Sequence, residues 1–525
     1  MGLRNRLFPA AMALLMLVQG AAASDIANPA SKAKQSAEYS PHTAWELGCT
    51  GKGVAICIMD TGVDDSHPSL AGKWLGGVDV SKPQTPLTPR DGTFNADDTN
   101  GHGTTCAGIA MGTGAPEKKY QGAAPDARLV ELRIGTIFGA APGEGPSPIK
   151  FYDATLQGEQ WALTHKDQSW APGAGRYRGI QVLSLSWGID VGGSSDGSDQ
   201  YSKGLDALVD AGVIVVNAAG NDGPQNDGFS GLSASSKAIV VGATDDNDTI
   251  DRSDDFIASY SSRGPRRDNG DGDPFDELKP DVSAPGTGIT QAEYDQVGNG
   301  AGNGYGPRGS GTSYATPLVA GVCALLLEAN ANLTPPLVKE ILRATSERRG
   351  NASAPELDPF WNRDFGWGMV DAYRACELAA RTDAGKVDIA LQAFVTSVAW
   401  RNGAGKATGL SWSRDGDVER TEVRIDRGAW TRVGPSKGSV FGNWSYDLPA
   451  LAPGNHTIFV RNSAGGMESL ATAFDFNTTG EAPALAGLSG SAAWGGGALV
   501  AAAAAGVAYW VIRKRRKGAE APAVH

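Results

Sequence analysis

Ser313 stands in "GSGTSYATPLVAGVCALLLEA" (309–329), among small residues and four positions ahead of Pro317, where an apolar run with helical spacing begins. A hydroxyl at that threshold has two uses. It can cap the helix by satisfying an orphan N–H of the first turn. It can also act as a nucleophile where the helix dipole favours developing negative charge. The second use needs a base, and the base needs a carboxylate to orient it. His102 lies between two glycines in "NGHGTTCAGI" (100–109), and Asp60 precedes a Thr-Gly turn in "IMDTGVDDSHP" (58–68). Asn221 sits in the glycine-rich "NAAGNDGP" (217–224). Taken singly, these have ordinary readings as a surface loop, a helix cap and a turn. Their joint occurrence, in the order Asp, His, Asn, Ser, favours chemistry.

Such groups need rigid elements to hold them. "GVAICIMD" (53–60), "GIQVLSLSWG" (179–188), "GVIVVNAAG" (212–220) and "AIVVGAT" (238–244) read as buried strands. Helical periods run through "YDATLQGEQWALTH" (152–165), "SKGLDALVDA" (202–211) and "ATPLVAGVCALLLEA" (315–329). Strands apolar on both faces, separated by helices, predict an α/β fold over residues 43–380: a parallel sheet in three layers, with helices on both faces. Functional groups in such sheets gather beyond the carboxyl ends of the strands, where Asp60 and Asn221 fall.

The motifs around Asp60, His102 and Ser313 resemble, nearly letter for letter, those of the subtilisin-like serine endopeptidases, the subtilases. "YSSRGP" (260–265) and "KPDVSAPG" (279–286) resemble later landmarks of that family. The resemblance implies a subtilisin-like fold and hydrolysis of protein or peptide substrates through an acyl-enzyme. Ser313 is then the nucleophile, and His102 the base that later protonates the leaving amine. Asp60 holds the imidazole tautomer, while the Asn221 side chain and the Ser313 backbone N–H receive the oxyanion. Thr312 supports the turn and Pro317 fixes the helix start. "LSWG" (185–188) pairs with substrate as an added strand, with Ser186 and Gly188 flanking the primary pocket. Ala218 and Gly220 lie on the opposite wall, and "GFSGLSA" (228–234) lies near the floor of a pocket open to a medium or large apolar side chain.

The chemistry implied needs no cofactor. Structural calcium is common among these enzymes, but the known ligand positions do not transfer: "HPSL" places Ser69 where an aspartate is expected. "DNGDGDPFDE" (268–277) reads as a solvated acidic loop and Asp281 as a structural hydrogen-bond acceptor, so no metal site is assigned. Cys106, one helical turn after His102, reads as a small buried residue beneath it.

The remaining sequence sets the context. The chain has 525 residues and a net charge of −12, which argues against nucleic acid as a partner. Arg4 and Arg6, an apolar Leu7–Val18 run and Ala21–Ala23 read as an export signal over residues 1–23. Residues 24–42 then form a short N-terminal extension, with no room for the folding prodomain found in many exported subtilases. Residues 386–478 alternate in short β segments that predict an immunoglobulin-like or fibronectin-like sandwich, followed by a linker at 479–491. The uncharged stretch 492–512 is long enough to cross a bilayer as one transmembrane helix. The basic cluster Arg513–Lys517 begins a cytoplasmic tail at 513–525. The expectation is an exported enzyme at the cell surface, held by that membrane segment or by a sorting signal later cleaved. The other reading is a catalytically inactive subtilase-fold scaffold. Five cysteines allow at most two disulfides and leave at least one thiol free. No feature sets an oligomeric state.

Overall fold

A computed structural model describes residues 27, 29–34, 42–81, 98, 100–135, 148–170, 177–295, 304–401, 403–414, 418–434 and 441–479. The expected export signal, transmembrane segment and tail lie outside these residues. The chain divides into two compact units, residues 1–348 with 363–384, and residues 349–362 with 385–525.

The first unit is built on an eight-stranded sheet. Strand β1 (Ala55–Asp60) is central, with β2 (Trp74–Asp79) and β3 (Arg128–Arg133) on one side in the order β2-β3-β1. On the other side follow β4 (Val182–Leu185), β5 (Ile214–Ala218) and β6 (Ile239–Asp245). These six run parallel; β7 (Phe256–Ile257) pairs antiparallel with β6, and β8 (Val282–Pro285) pairs parallel with it. The chain reverses its direction of travel across the sheet between β1 and β4, so a crevice opens beyond their carboxyl ends. Asp60 ends β1 and Ser186 follows β4, on either side of that crevice. A short ribbon of β9 (Ile289–Ala292) and β10 (Tyr305–Gly309) leads towards Ser313.

The described α-helices of this unit are α1 (His102–Met111), α2 (Pro148–His165), α3 (Gln200–Asp210), α4 (Thr312–Ala329), α5 (Pro335–Thr345) and α6 (Ala372–Arg381). Every residue of β1 is buried, because helices cover both faces of the sheet. Ala55, Cys57 and Met59 enter a core shared with Phe151 and Ala154 of α2 and Leu205 and Leu208 of α3. Side chains alternate along a strand, so Ile56, Ile58 and Asp60 face the opposite layer. That layer contains α1 and α4, and through this parity Asp60 meets the helices carrying His102 and Ser313.

Helix α4 has the length and apolar composition of a membrane span, yet most of it is buried within the unit. It is a core helix. It begins at Thr312, so Pro317 lies inside it rather than at its start.

The second unit contains two antiparallel sheets. One pairs β11 (Leu391–Arg401), β12 (Ala404–Ser413) and, numbered in chain order, β15 (Phe441–Leu448). The other joins β13 (Arg420–Ile425), β14 (Thr431–Gly434), β16 (Asn455–Ala464), β17 (Met467–Glu468) and β18 (Thr472–Asn477). Ala407 and Trp444 of the first sheet and Val423, Ile458, Val460 and Phe476 of the second form one core. Residues 349–362 group with this unit, although the sequence places them inside the 43–380 domain. Phe360 carries the connection, with its ring 4.7 Å from Phe394 and 6.2 Å from Trp412.

Glu159 of α2 is an expensive resident of the first core. It is 5% exposed, it abuts Gly204 of α3, and its Oε1 has no hydrogen-bond partner. Burial, assisted by the Asp199 carboxylate, lifts its pKa from 4.5 to about 9. The folded chain therefore keeps a proton that the unfolded chain releases. The group's contribution to stability is complete below pH 4.5 and is lost as the pH rises through about 9. Glu159→Gln, which keeps the shape without titrating, should raise the melting temperature at pH 8 and flatten its decline between those limits. Thermal melts across the range check this. Parallel curves for the two proteins would show that Glu159 is not held neutral.

Candidate active site

Asp60 is 1% exposed, and its Oδ1 lies 2.8 Å from His102 Nδ1. The same oxygen accepts the Thr61 N–H at 2.7 Å. This contact requires the start of α1 to approach the end of β1 closely. Gly103 permits it, since a Cβ there would strike the Gly62 carbonyl and lie 3.0 Å from the Asp60 Cβ. Gly101, at φ 93°, takes the left-handed turn into the helix.

Asp98 holds the two elements together. Its buried carboxylate accepts from the Thr61 hydroxyl at 2.8 Å and from the Asn100 and Gly101 N–H groups at 2.9 Å. It also accepts from the Thr104 N–H at 3.0 Å and the Thr104 hydroxyl at 2.7 Å. Thr61 Oγ1 in turn accepts the Gly103 N–H at 2.9 Å. Asp98 and the Thr61 hydroxyl thus share the N–H groups at and just ahead of the start of α1, and together lock that turn to the residue after Asp60. Arg133 of β3 adds a bond from its Nε to the Thr61 carbonyl at 3.1 Å, while pairing with Asp79 at 2.8 Å. Sequence reasoning missed Asp98; its signal is an acid just ahead of a Gly-His-Gly helix start. It missed Arg133 as well, because a charged residue in a short run does not look like the end of a buried strand.

Ser313 is partly buried at the start of α4, and its hydroxyl donates to the Ser186 carbonyl at 3.1 Å rather than to His102. Pro317 explains the reciprocal contact. Residue 317 would ordinarily donate its N–H to the carbonyl of residue 313, and proline has none. The Ser313 carbonyl instead accepts from the Ser186 hydroxyl at 2.8 Å and the Cys106 thiol at 3.5 Å. Cys106 is buried beneath the histidine, with its sulfur 3.8 Å from His102 Nδ1 and 3.6 Å from the Ser186 hydroxyl. Trp187 and Tyr314 flank the imidazole at ring distances of 5.6 and 5.8 Å.

Asn221 is oriented by Thr312. Its Oδ1 accepts the Thr312 N–H at 2.9 Å and the Thr312 hydroxyl at 3.0 Å, and Thr312 Oγ1 accepts the Gly220 N–H at 3.2 Å. A backbone N–H fixes which end of the amide is oxygen, so Nδ2 is the end left to donate elsewhere. Asn221 Nδ2 and Ser313 N lie 3.5 and 3.6 Å from the position that a Cβ on Gly311 would occupy. Both nitrogens therefore border the same space beside Gly311.

Of the residues expected to flank a substrate, Gly188 is exposed, Ser186 and Ala218 are buried, and Gly220 is partly exposed at φ 105°. The Ser230 hydroxyl would lie 2.5 Å from a Cβ on Gly188 and is 3.5 Å from the Ser233 hydroxyl. The wall behind Gly188 therefore carries hydroxyls.

Two acidic positions bear on calcium. Carboxylate oxygens of Asp271, Asp276 and Glu277 lie within 4.8 Å of one another, but the buried Arg266 guanidinium is 2.5 Å from Asp276 and 3.6 Å from Glu277. Asp281, fully buried, accepts from the Val240 N–H at 2.8 Å, Lys279 at 3.0 Å and Arg343 Nε at 3.0 Å, with Lys339 at 3.3 Å. Both positions already have side-chain cations, and neither donor set fits calcium.

Burial opposes a charge on His102, but the Asp60 carboxylate and the Cys106 sulfur outweigh it and raise the pKa well above 6.5. The neutral base should therefore appear only at higher pH. If His102 is the base, kcat/KM on an ester or peptide substrate should rise with pH, with its midpoint above 6.5. A midpoint at or below that value would contradict the coupling to Asp60. Asp98 is a positioning residue, and Asp98→Asn replaces one acceptor oxygen with a donor. The expected outcome is a fall in kcat of about 10²-fold with little change in KM, from a displaced imidazole. A lower melting temperature should accompany it. An unchanged kcat in a destabilised variant would reduce Asp98 to a stability role.

A family model described as "Subtilase family" matches residues 51–368. The chain is 32% identical over 332 residues to serine protease AprX of Bacillus subtilis (strain 168), covering 62% of this chain and 66% of that protein. It is 29% identical to thermitase of Thermoactinomyces vulgaris over 65% of this chain and 96% of the relative. It is also 30% identical to a calcium-dependent protease of Trichormus variabilis (strain ATCC 29413 / PCC 7937), covering 66% of this chain but 49% of the relative. The chain thus spans about half to two thirds of the length of two of these three proteins. It belongs to the subtilase family, the subtilisin-like serine endopeptidases.

Proposed function

From this membership we propose that the chain is an exported, surface-anchored serine endopeptidase that cleaves peptide bonds of proteins through Asp60, His102 and Ser313. The observation that carries the reading is the 2.8 Å bond between Asp60 and His102 Nδ1, which leaves the other ring nitrogen as the proton acceptor. Ser313 Oγ attacks the scissile carbonyl while His102 takes its proton. Asp60 stabilises the imidazolium that forms. The tetrahedral oxyanion accepts from Asn221 Nδ2 and the Ser313 N–H, beside Gly311. His102 then returns the proton to the leaving amine, and water repeats the sequence on the acyl-enzyme.

Substrate lies extended along Ser186–Gly188, between that segment and the wall of Ala218 and Gly220. Its backbone N–H groups compete for carbonyls there, including the Ser186 carbonyl that holds the Ser313 hydroxyl at 3.1 Å. Binding of substrate thereby frees the hydroxyl to turn towards His102.

Export and anchoring rest on the sequence. The positive and apolar N-terminus, the uncharged stretch 492–512 and its basic flank support a single span with the catalytic unit outside. In chain order the β-rich second unit and the linker separate the catalytic unit from that stretch. The chemistry requires no metal. One relative is named for calcium dependence, and structural calcium in this chain has no position assigned.

A serine-directed fluorophosphonate should label Ser313, and Ser313→Ala should abolish both labelling and hydrolysis while the protein remains folded. Asn221→Ala should lower kcat about 10²–10³-fold and leave KM nearly unchanged. A folded parent protein that takes no label would favour the scaffold reading. A pure KM effect at Asn221 would remove it from the oxyanion site.

A further inference from the structure

All five cysteines are free, buried thiols, and two of them meet. Cys49 and Cys376 share a side-chain hydrogen bond, although they are far apart in sequence. Their contact follows from how the N-terminal segment docks on α6. Lys32 pairs with Asp371 at 2.7 Å, the Ala372 N–H donates to the Ser31 carbonyl at 2.9 Å, and the His42 and Tyr373 rings lie 5.3 Å apart. On the far side of Cys49, the Glu328 carboxylate of α4 accepts the N–H groups of Thr50, Gly51 and Lys52 at 2.6, 2.7 and 3.0 Å. The backbone around Cys49 is therefore pinned on both sides, and its thiol is held against the middle of α6. The other three are placed differently: Cys57 lies within β1, Cys106 beneath His102 and Cys323 inside α4.

We propose that Cys49 and Cys376 form an intramolecular disulfide when the chain meets an external disulfide oxidant, closing a covalent staple around the catalytic unit. The Cys49 thiolate attacks one sulfur of the external disulfide, forming a mixed disulfide and releasing one thiolate. Cys376 then loses its proton and attacks the Cys49 sulfur, which expels the second external thiol. The balance is two protein thiols and one external disulfide converted to one protein disulfide and two external thiols. Cys49 suits the first step. It is 7% exposed against 1% for Cys376, and the hydrogen bond from Cys376 holds its thiol below the ordinary range. That hydrogen bond, with burial, pushes Cys376 up. The closed loop contains Asp60, His102, Asn221 and Ser313, so the staple restricts the unfolded ensemble of every catalytic segment at once.

The test incubates the full chain with oxidised glutathione, quenches it in acid, alkylates it under denaturing conditions without reductant, and maps it by mass spectrometry. The expected result is a linked pair of peptides carrying Cys49 and Cys376, with alkylated Cys57, Cys106 and Cys323. Five alkylated cysteines, a different pair, or glutathione that stays on Cys49 would each overturn the assignment. The oxidised protein should also melt several degrees above the reduced one, and Cys376→Ser should remove that difference. A difference that survived in Cys376→Ser would assign it to other thiols. Should that variant fail to fold, the peptide map of the unaltered chain decides alone. The oxidant is supplied directly, so the outcome does not depend on export.

Discussion

The site depends on one buried anion that is not part of its chemistry. Asp60 belongs to the end of a strand and His102 to the start of a helix 42 positions later, and their 2.8 Å contact requires those elements to stay in register. Asp98 supplies that register by accepting from Thr61 on one side and from Asn100, Gly101 and Thr104 on the other. A buried carboxylate is tolerable only when its lone pairs are satisfied, and here the donors that satisfy it are those the active site needs fixed. The same residues that stabilise Asp98 thus set the direction of the imidazole.

A second local constraint governs the serine. An uninterrupted helix would tie the Ser313 carbonyl into its own first turn. Pro317 prevents this, and the freed carbonyl accepts from Ser186 and Cys106, which come from the crevice between β1 and β4 and from α1. The interior proline, which costs a helix stability elsewhere, here joins α4 to the other two elements of the site. The helix start that the sequence assigns to Pro317 comes instead from the extended Gly311, with Thr312 bonded to Asn221.

The parts of the fold legible in the sequence are those where burial is mainly apolar. β1, β4, β5 and β6 read as strands because apolar residues dominate them and no charge falls in their interiors, and the four site residues stand out because glycines and turns isolate them. β3 was hidden. Its "RLVELR" looks solvent-facing, yet Glu131 and Arg133 are 0% and 2% exposed, held by bonds to Val63, Thr61 and Asp79. Asp98 was hidden for the same reason, since its donors are brought to it only by the folded chain. Residues 349–362 carry no boundary signal at all. In the fold they group with the second unit, where the Phe360 ring lies against Phe394 and Trp412, contacts that local sequence does not encode.

Ser186 shows why the site sits at the reversal of the sheet. One half of the proposed machinery, Asp60 with His102, rests on β1, β3 and α1. The other half, Asn221 with Ser313, rests on β5 and α4, with β6 and β8 behind it. There the buried Asp281 bonds the Val240 N–H and balances Lys279, Lys339 and Arg343. A residue beyond β4 lies between the two halves and can touch both, as Cys106 of α1 does from one side through its contacts to His102 and the Ser313 carbonyl. Ser186 does so through its hydroxyl, which bonds the Ser313 carbonyl at 2.8 Å and meets the Cys106 thiol at 3.6 Å. Its own carbonyl takes the Ser313 hydroxyl. A displacement of either half therefore reaches the other through two small side chains, Ser186 and Cys106, which meet on the Ser313 carbonyl. The position where substrate is proposed to bind is also the position where the two halves are joined.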